Sequence, residues 1–334
     1  MQELNWKSLW ETIRKHQRFI LTSHVRPDGD SIGSQQAMAE TLETMGKETI
    51  LLNQDPVPHT ISFLDPNKKV IPLAELTDSQ KGFVESADCH IILDLSSWSQ
   101  LGTVSNLYRN GKREKIIIDH HNSKRDLPGT YFLDPDAEAT GSLVFEALEV
   151  SGIPMSKSTA FALFTAISSD TGWFRFGSMK PRTFEIAAKL MERGVVPAEL
   201  YKLLYEQESL GRIHLIGTAL SNVEPHRNGK IMITHLLQSD FDQAGAHRSD
   251  SEDIVNELLK VKGTEQAIIM VEQKTGAFKI SFRSRSAVDC SQLAAQFNGG
   301  GHPQAAGASC DLPFNETKAA LLKAAEDAAD AVQG

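Results

Sequence analysis

Residues 115–121 read Lys-Ile-Ile-Ile-Asp-His-His, a short apolar run that releases Asp119, His120 and His121 at its carboxyl end. A continuous run of β-branched residues fits a strand covered on both faces. In an open α/β sheet, ligands bind at the carboxyl ends of the strands. Imidazole and carboxylate together are a ligand set for transition metals. The one place where two of the eleven histidines stand side by side is therefore a candidate site.

Working outward, the first half of the chain alternates strand and helix signals. Arg18–Thr22, Glu48–Leu52, His90–Asp94 and Lys115–Asp119 read as strands; Ser34–Met45 reads as a helix stopped by Gly46. Such alternation predicts an α/β domain with a mostly parallel, doubly wound sheet. From Gly141 the pattern is helical, through 142–150, 158–168 and 182–193. A charged helical stretch, 198–211, is expected to link this domain to a smaller α+β domain. There, apolar runs at 231–234, 266–271 and 278–282 are joined by hairpin signals at Asn228-Gly229 and Thr275-Gly276. The expected boundaries are 1–196, a linker at 197–212, and 213–334.

At 334 residues and 40% hydrophobic content the chain is long enough for two domains. A net charge of −9 disfavours wide, sequence-independent binding of long nucleic acid, so phosphate recognition must rest on local positive charge. No apolar run long enough for a membrane span occurs, and the N-terminus lacks a signal core; a cytoplasmic protein without membrane contact is expected. Three widely spaced cysteines, Cys89, Cys290 and Cys310, argue against a disulfide framework or zinc ribbon.

The first strand empties into Ser23-His24-Val25-Arg26-Pro27-Asp28-Gly29-Asp30-Ser31, placing His24, Asp28 and Asp30 within seven residues. Pro27 and Gly29 are expected to keep this segment out of helix so that it folds back as a loop of ligands. The plainer reading is a turn capping the next helix, with Asp30 or Ser31 as N-cap. Asp94 and Asp119-His120 end two further strands, and Asp170 follows the apolar helix. Acids are seldom buried unless paired or coordinated, so several at the ends of apolar strands imply a cation. Four carboxylates and two imidazoles exceed one octahedral shell, which suggests two ions. Oxygen and nitrogen ligands without thiolate favour Mn²⁺, with Mg²⁺, Co²⁺ or Fe²⁺ as alternatives. Two such ions suit hydrolysis of a phosphate ester.

His24-x-x-x-Asp28-x-Asp30, Asp94, Asp119-His120-His121 and Asp170-Thr171-Gly172 resemble the four motifs of the DHH phosphoesterase superfamily. Arg283-Ser284-Arg285 and Asn298-Gly299-Gly300-Gly301-His302-Pro303 resemble its accessory DHHA1 domain. Within the superfamily the chain is similar to the NrnA-type oligoribonucleases. The resemblance implies a DHH catalytic domain and a DHHA1 substrate domain with the active-site cleft between them. His24, Asp28 and Asp94 would hold one ion; Asp30, Asp94, His120 and Asp170 the other. Asp119 would orient an imidazole in support of His120, and His121 would face the scissile phosphate. Arg283, Arg285, the glycines Gly299, Gly300 and Gly301, and His302 would bind substrate, with Arg26 as a further phosphate contact.

The implied reaction is hydrolysis of short oligoribonucleotides (nanoRNA) to mononucleotides, together with 3′-phosphatase action on 3′-phosphoadenosine 5′-phosphate. Cyclic di-AMP or its linear product is the alternative substrate. A RecJ-type exonuclease fits less well, because the acidic chain lacks an extended basic track. A non-catalytic nucleotide sensor would have lost metal ligands, and none is missing. A homodimer is one assembly open to the chain. Trp173, Phe174 and Phe176 could stack on a base, although core packing is the ordinary role of such a stripe.

Overall fold

The computed structural model describes residues 4–122 and 125–333, and the chain divides into two compact units, Met1–Glu206 and Gln207–Gly334. In the first, β1 (Arg18–Thr22), β2 (Glu48–Asn53), β3 (Val70–Pro72), β4 (Cys89–Leu93), β5 (Glu114–Asp119) and β6 (Thr130–Leu133) form one sheet. Its order is β3-β2-β1-β4-β5-β6, and each neighbouring pair is parallel. The helices are α1 (Trp6–Arg14), α2 (Gly29–Thr44), α3 (Asp78–Ser86), α4 (Val104–Asn110), α5 (Thr140–Ser151), α6 (Lys157–Asp170), α7 (Pro181–Glu192) and α8 (Pro197–Tyr205).

Strand side chains alternate between two covered faces, which is why the strands read as unbroken apolar runs. Phe19, Leu21, Ile91, Leu93, Ile116 and Ile118 pack with Ile32, Leu42, Leu143 and Leu163 from α2, α5 and α6. On the other face Ile92 and Ile117 meet Val104 and Tyr108 of α4, and Ile20, Ile50 and Leu52 meet Val84 of α3. The chain runs outward from β1 to β3 and then returns to lay β4 beside β1. This reversal is the topological switch point, where the strand ends open a crevice. The three strands that release His24, Asp94 and Asp119-His120 are neighbours there.

Two local expectations change. Gly29 does not hold its segment out of helix: it is the first residue of α2, and the N-cap is Asp28 rather than Asp30 or Ser31. Glycine is needed at 29 because α2 lies against α6, where a Cβ would sit 2.4 Å from Ser169 Oγ; at Gly33 it would meet the Ala162 carbonyl oxygen at 2.4 Å. The stretch 198–211 is also not one helix. α8 ends at Tyr205, and a new helix begins at Leu210 with Ser209 as its cap, so the chain is non-helical between them.

The second unit contains β7 (Glu224–His226), β8 (Ile231–Leu236), β9 (Gln266–Glu272), β10 (Phe278–Ser284), β11 (Gly300–His302) and β12 (Ala305–Cys310) in one mixed sheet. Its order is β11-β12-β10-β9-β8-β7, with only β8 and β9 parallel. α9 (Leu210–Ser221), α10 (Gln238–Ala244), α11 (Val255–Leu258), α12 (Cys290–Ala295) and α13 (Phe314–Gln333) accompany it. The hairpin between β7 and β8 turns through residues 227–230 rather than two residues, with Arg227, Asn228 and Gly229 at positive φ, +50°, +56° and +83°. The expected helix at 252–260 contracts to α11, since Asp253 at φ +60° interrupts it. Cys89, Cys290 and Cys310 are free and buried. Among the described residues no helix is long and apolar enough to cross a membrane.

Candidate metal centre

The loop after β1 is fastened at three backbone points. The N–H of Ser23 donates to Asn53 Oδ1 (3.0 Å), that of Val25 to the Gln100 carbonyl (2.8 Å), and that of Arg26 to Asp55 Oδ2 (2.7 Å). Asp28 then caps α2: its Oδ1 accepts the Ser31 N–H at 3.0 Å, while its Oδ2 lies 3.7 Å from His24 Nε2. One carboxylate thus starts a helix and faces an imidazole. Asp30, in the first turn of α2, is 1% exposed. Its two oxygens accept the N–H groups of Thr140 (2.7 Å) and Gly141 (2.8 Å) at the N-terminus of α5, and Ser34 adds a hydroxyl at 3.2 Å. A helix N-terminus offers free N–H donors and a positive dipole end to such an anion.

Asp94 leaves β4 at φ +68°, a conformation that costs a non-glycine residue energy and is tolerated best by Asp and Asn. The bend aims its buried carboxylate two ways. Oδ2 is 3.4 Å from His24 Nε2, and Oδ1 is 3.6 Å from His120 Nε2. The Thr140 hydroxyl donates to Oδ1 at 3.0 Å. His120 Nε2 also lies 3.8 Å from Asp30 Oδ2 and 3.5 Å from Oδ2 of Asp170, the last residue of α6.

Both imidazoles are set for coordination. His24 Nδ1 is 2.9 Å from the Val25 carbonyl, and His120 Nδ1 is 3.2 Å from the Ala137 carbonyl. A carbonyl only accepts, so each Nδ1 carries the hydrogen, and in the neutral ring each Nε2 presents a lone pair to the carboxylates. His120 Nε2 is buried without a hydrogen-bond partner. An orphaned ring nitrogen between three carboxylates is the opening a divalent cation would fill.

Three groups of ligand atoms lie within 4.8 Å of one another: His24, Asp28 and Asp94; Asp30, His120 and Asp170; and Asp94, His120 and His121. The nitrogen and oxygen donors, with no sulfur, fit a hard or borderline cation. The electrostatics show the strain of holding these groups together. Burial disfavours charge on His24, yet Asp28 and Asp94 push its pKa up to about 11. Burial also opposes charge on Asp28, but His24 and Ser31 hold its carboxyl down at about 2. Burial followed by the repulsion of Asp94 and Asp170 drives Asp30 well above the usual carboxylate range. Burial raises Asp170 to about 6, against the attraction of His120.

Asp119 supports a different imidazole from the expected one. Its Oδ1 accepts the His121 N–H (3.1 Å) and pairs with His121 Nδ1 (2.8 Å), and its other oxygen accepts the Ser96 hydroxyl. His120 is held by Ala137 instead, because an acid two residues back reaches the His121 N–H in a local Asx turn. The hydrogen bond that His121 donates to Asp119 pushes the imidazole up to about 9.

Arg26 is exposed at φ +53°. In the second unit Arg283 lies within β10, but its guanidinium is engaged by Asn256 (3.0 Å) and Asp253 (3.0 Å). Arg285 falls beyond the strand end, so the two do not share a strand face; it is exposed and bonds the Leu259 carbonyl at 2.9 Å. The glycine triplet runs into an edge strand. Cβ atoms at Gly299 and Gly301 would strike β12, and the Gly299 N–H is committed to the Ala294 carbonyl (2.8 Å). Gly300 and His302 are exposed.

Sequence reasoning missed Asn53, Asp55, Ser96, Thr140 and Gly141. Asn53 carried a usable signal, being a polar residue at the end of an apolar strand just as Asp94 is. Thr140 and Gly141 carried only the onset of a helix.

Comparison with known proteins places these observations in a family. Residues 18–167 match the N-terminal domain of the DHH family, and residues 228–331 match the DHHA1 domain. The chain is 31% identical over 295 residues to the bifunctional oligoribonuclease and PAP phosphatase NrnA of Thermus thermophilus, covering 86% of this chain and 83% of that protein. It is 27% identical to the Bacillus subtilis protein of the same name, covering 90% and 92%. Among solved structures, an exopolyphosphatase-related protein from Bacteroides fragilis superposes with a TM-score of 0.86 at 24% identity over 100% of both chains. A manganese-bound exonuclease RecJ gives 0.52 at 16% identity over 96% of this chain and 93% of that one; both share the fold. The chain belongs to the DHH/DHHA1 family of phosphoesterases.

Proposed function

We propose that this phosphoesterase is a metal-dependent phosphodiesterase that hydrolyses short oligoribonucleotides to mononucleotides and also removes the 3′-phosphate of 3′-phosphoadenosine 5′-phosphate. The observation that carries the reading is Asp94. Its two oxygens face His24 and His120, the imidazoles of two adjacent ligand groups. His24, Asp28 and Asp94 would hold one ion and Asp30, Asp94, His120 and Asp170 the other, with Mn²⁺ favoured and Mg²⁺ or Co²⁺ as substitutes. When bound, such a pair supplies charge neutralisation of the phosphate, activation of water and stabilisation of the leaving oxygen.

The chain's own residues do the positioning. Asp30 is locked by the α5 N-terminus, and Thr140 fixes the Asp94 oxygen that faces His120. Asp119 anchors His121 by Nδ1, which leaves Nε2 for a phosphate oxygen. Arg26, Arg283, Arg285, Gly299, Gly300, Gly301 and His302 are assigned to substrate, with Arg285 as the principal guanidinium because Arg283 is already paired. The net charge of −9 supports small substrates over long polyanions. Relatives named as oligoribonucleases and PAP phosphatases align across both domains, which supports the same substrate class.

The test is a side-by-side rate comparison with purified protein on a linear diribonucleotide, cyclic di-AMP and 3′-phosphoadenosine 5′-phosphate, each with Mn²⁺, Mg²⁺ and Co²⁺. Fastest turnover of the linear dinucleotide is expected. No turnover of it with any of the ions rejects the proposal, and a faster cyclic substrate reassigns the enzyme.

A further inference from the structure

The chain leaves Asp170 by a strained route. Gly172, Trp173 and Phe174 have φ of +56°, +60° and +59°, three consecutive residues in the left-handed region. Glycine adopts it freely, but an L side chain there is strained, and such residues ordinarily occur singly. Two aromatic residues in succession persist only where the surroundings over-determine them.

Those surroundings are visible. The Thr171 hydroxyl donates to the Ile167 carbonyl (2.7 Å) and accepts the Phe174 N–H (3.1 Å). The Trp173 N–H bonds the Ser168 carbonyl (2.6 Å), and the Thr171 carbonyl accepts the N–H groups of Arg175 and Phe176 (3.0 and 3.1 Å). Trp173 packs edge-on against Phe164 and Tyr201, and Phe174 stacks on Phe184. Arg175 Nε closes the turn onto the Gly172 carbonyl at 2.6 Å.

The product of this construction is the placement of Phe176. Its ring lies on Gly172, where a Cβ would stand 2.4 Å from the ring and force it to shift, and φ is already positive. Yet Phe176 is 54% exposed. Strain that served only the core would end with a buried ring. Here it ends with an exposed aromatic side chain, lying against a glycine two residues beyond Asp170. Successive Cα atoms are 3.8 Å apart, so Gly172 and Asp170 are at most about 7.6 Å apart at Cα.

We propose that Phe176 is a base-stacking residue, receiving a nucleobase of the nucleotide whose phosphate is bound at the centre containing Asp170. This rests on the phosphodiesterase reading above and adds to it the part of the substrate, beyond the phosphate, that this domain recognises. Stacking on an aromatic ring accepts any base and is worth roughly 5- to 100-fold in affinity. Phe184, Tyr201 and Tyr205 are also partly exposed, so the same ring could instead meet a protein surface. Dependence on the base separates the two.

The experiment is calorimetric binding of adenosine 5′-monophosphate and of ribose 5-phosphate to the full-length Mn²⁺-loaded protein, as wild type, Phe176→Ala and Phe176→Tyr. The wild type should bind the adenosine ligand more tightly. Phe176→Ala should weaken it by about 5- to 100-fold while leaving ribose 5-phosphate within about twofold, and Phe176→Tyr should restore it. Equal losses for both ligands, no loss for either, or a wild type indifferent to the base overturns the inference. Absence of dinucleotide turnover rejects the proposed function instead, which this binding experiment does not measure.

Discussion

The backbone N–H of Arg26 donates to the Asp55 carboxylate at 2.7 Å, and Arg26 sits at φ +53° between His24 and Asp28. A residue two places past the end of β2 therefore holds a strained residue in the middle of a candidate ligand loop. Asp55→Ala should let the loop relax and weaken Mn²⁺ binding by about 10- to 100-fold, the usual cost of losing a group that orients ligands. Gly at position 26 takes positive φ without strain, so Arg26→Gly should recover part of that loss in the Asp55→Ala background. Calorimetric Mn²⁺ titrations of the wild type, both single variants and the double variant check this. Identical losses with either residue at 26 would show that Asp55 does not act through the loop.

Helix packing behind the site has its own sensitivity. Gly33 faces the Ala162 carbonyl oxygen, where a Cβ would come within 2.4 Å, and the obstacle is backbone rather than a flexible side chain. Gly33→Ala should push α2 away from α6 and destabilise the fold by about 1–3 kcal/mol in urea unfolding, despite the better helix propensity of alanine. A variant as stable as the wild type would mean that the two helices can part at no cost.

The pH dependence of metal binding follows from the raised imidazole. His24 holds its proton up to about pH 11 when Asp28 and Asp94 are its only partners, so an ion taking Nε2 at pH 7 must displace that proton. Mn²⁺ affinity should therefore increase as pH rises from 6 to 9, by on the order of tenfold per unit for each proton released. Asp170, raised to about 6, adds a second proton to be displaced below that pH, and the dependence should steepen there. Titration at pH 7 in two buffers of different protonation enthalpy measures the release. Affinity that stays flat or falls as pH rises would contradict this coupling between the His24 proton and the ion.

Much of this centre was legible in the chain because double-sided burial writes strands as Ile-Ile-Ile and leaves the polar residue at each end conspicuous. That is how His24, Asp94 and Asp119 stood out, while Asp170 was marked by the end of an apolar helix; the fold sets His24 with Asp94 in one group of ligand atoms and Asp170 with His120 in another. What stayed hidden was set by contacts distant in sequence. Thr140 reaches Asp94 across 46 positions and Asp30 across 110. Arg283 is claimed by Asp253, thirty residues earlier. Gly29 read as a helix breaker because its reason for being glycine, the proximity of Ser169, exists only once α2 and α6 have packed. Asp119 was expected to serve His120, yet the Asx turn gives it His121, and residue spacing alone does not separate the two.

In the proposed centre Asp94 is shared by two ions. Counting Mn²⁺ bound per chain by calorimetry, for the wild type, Asp28→Ala and Asp94→Ala, tests it most directly. The wild type should bind two ions, Asp28→Ala should retain one at near-native affinity, and Asp94→Ala should retain neither at that affinity. A wild type that binds a single ion, or an Asp94→Ala variant that still binds one as tightly as Asp28→Ala does, would contradict it.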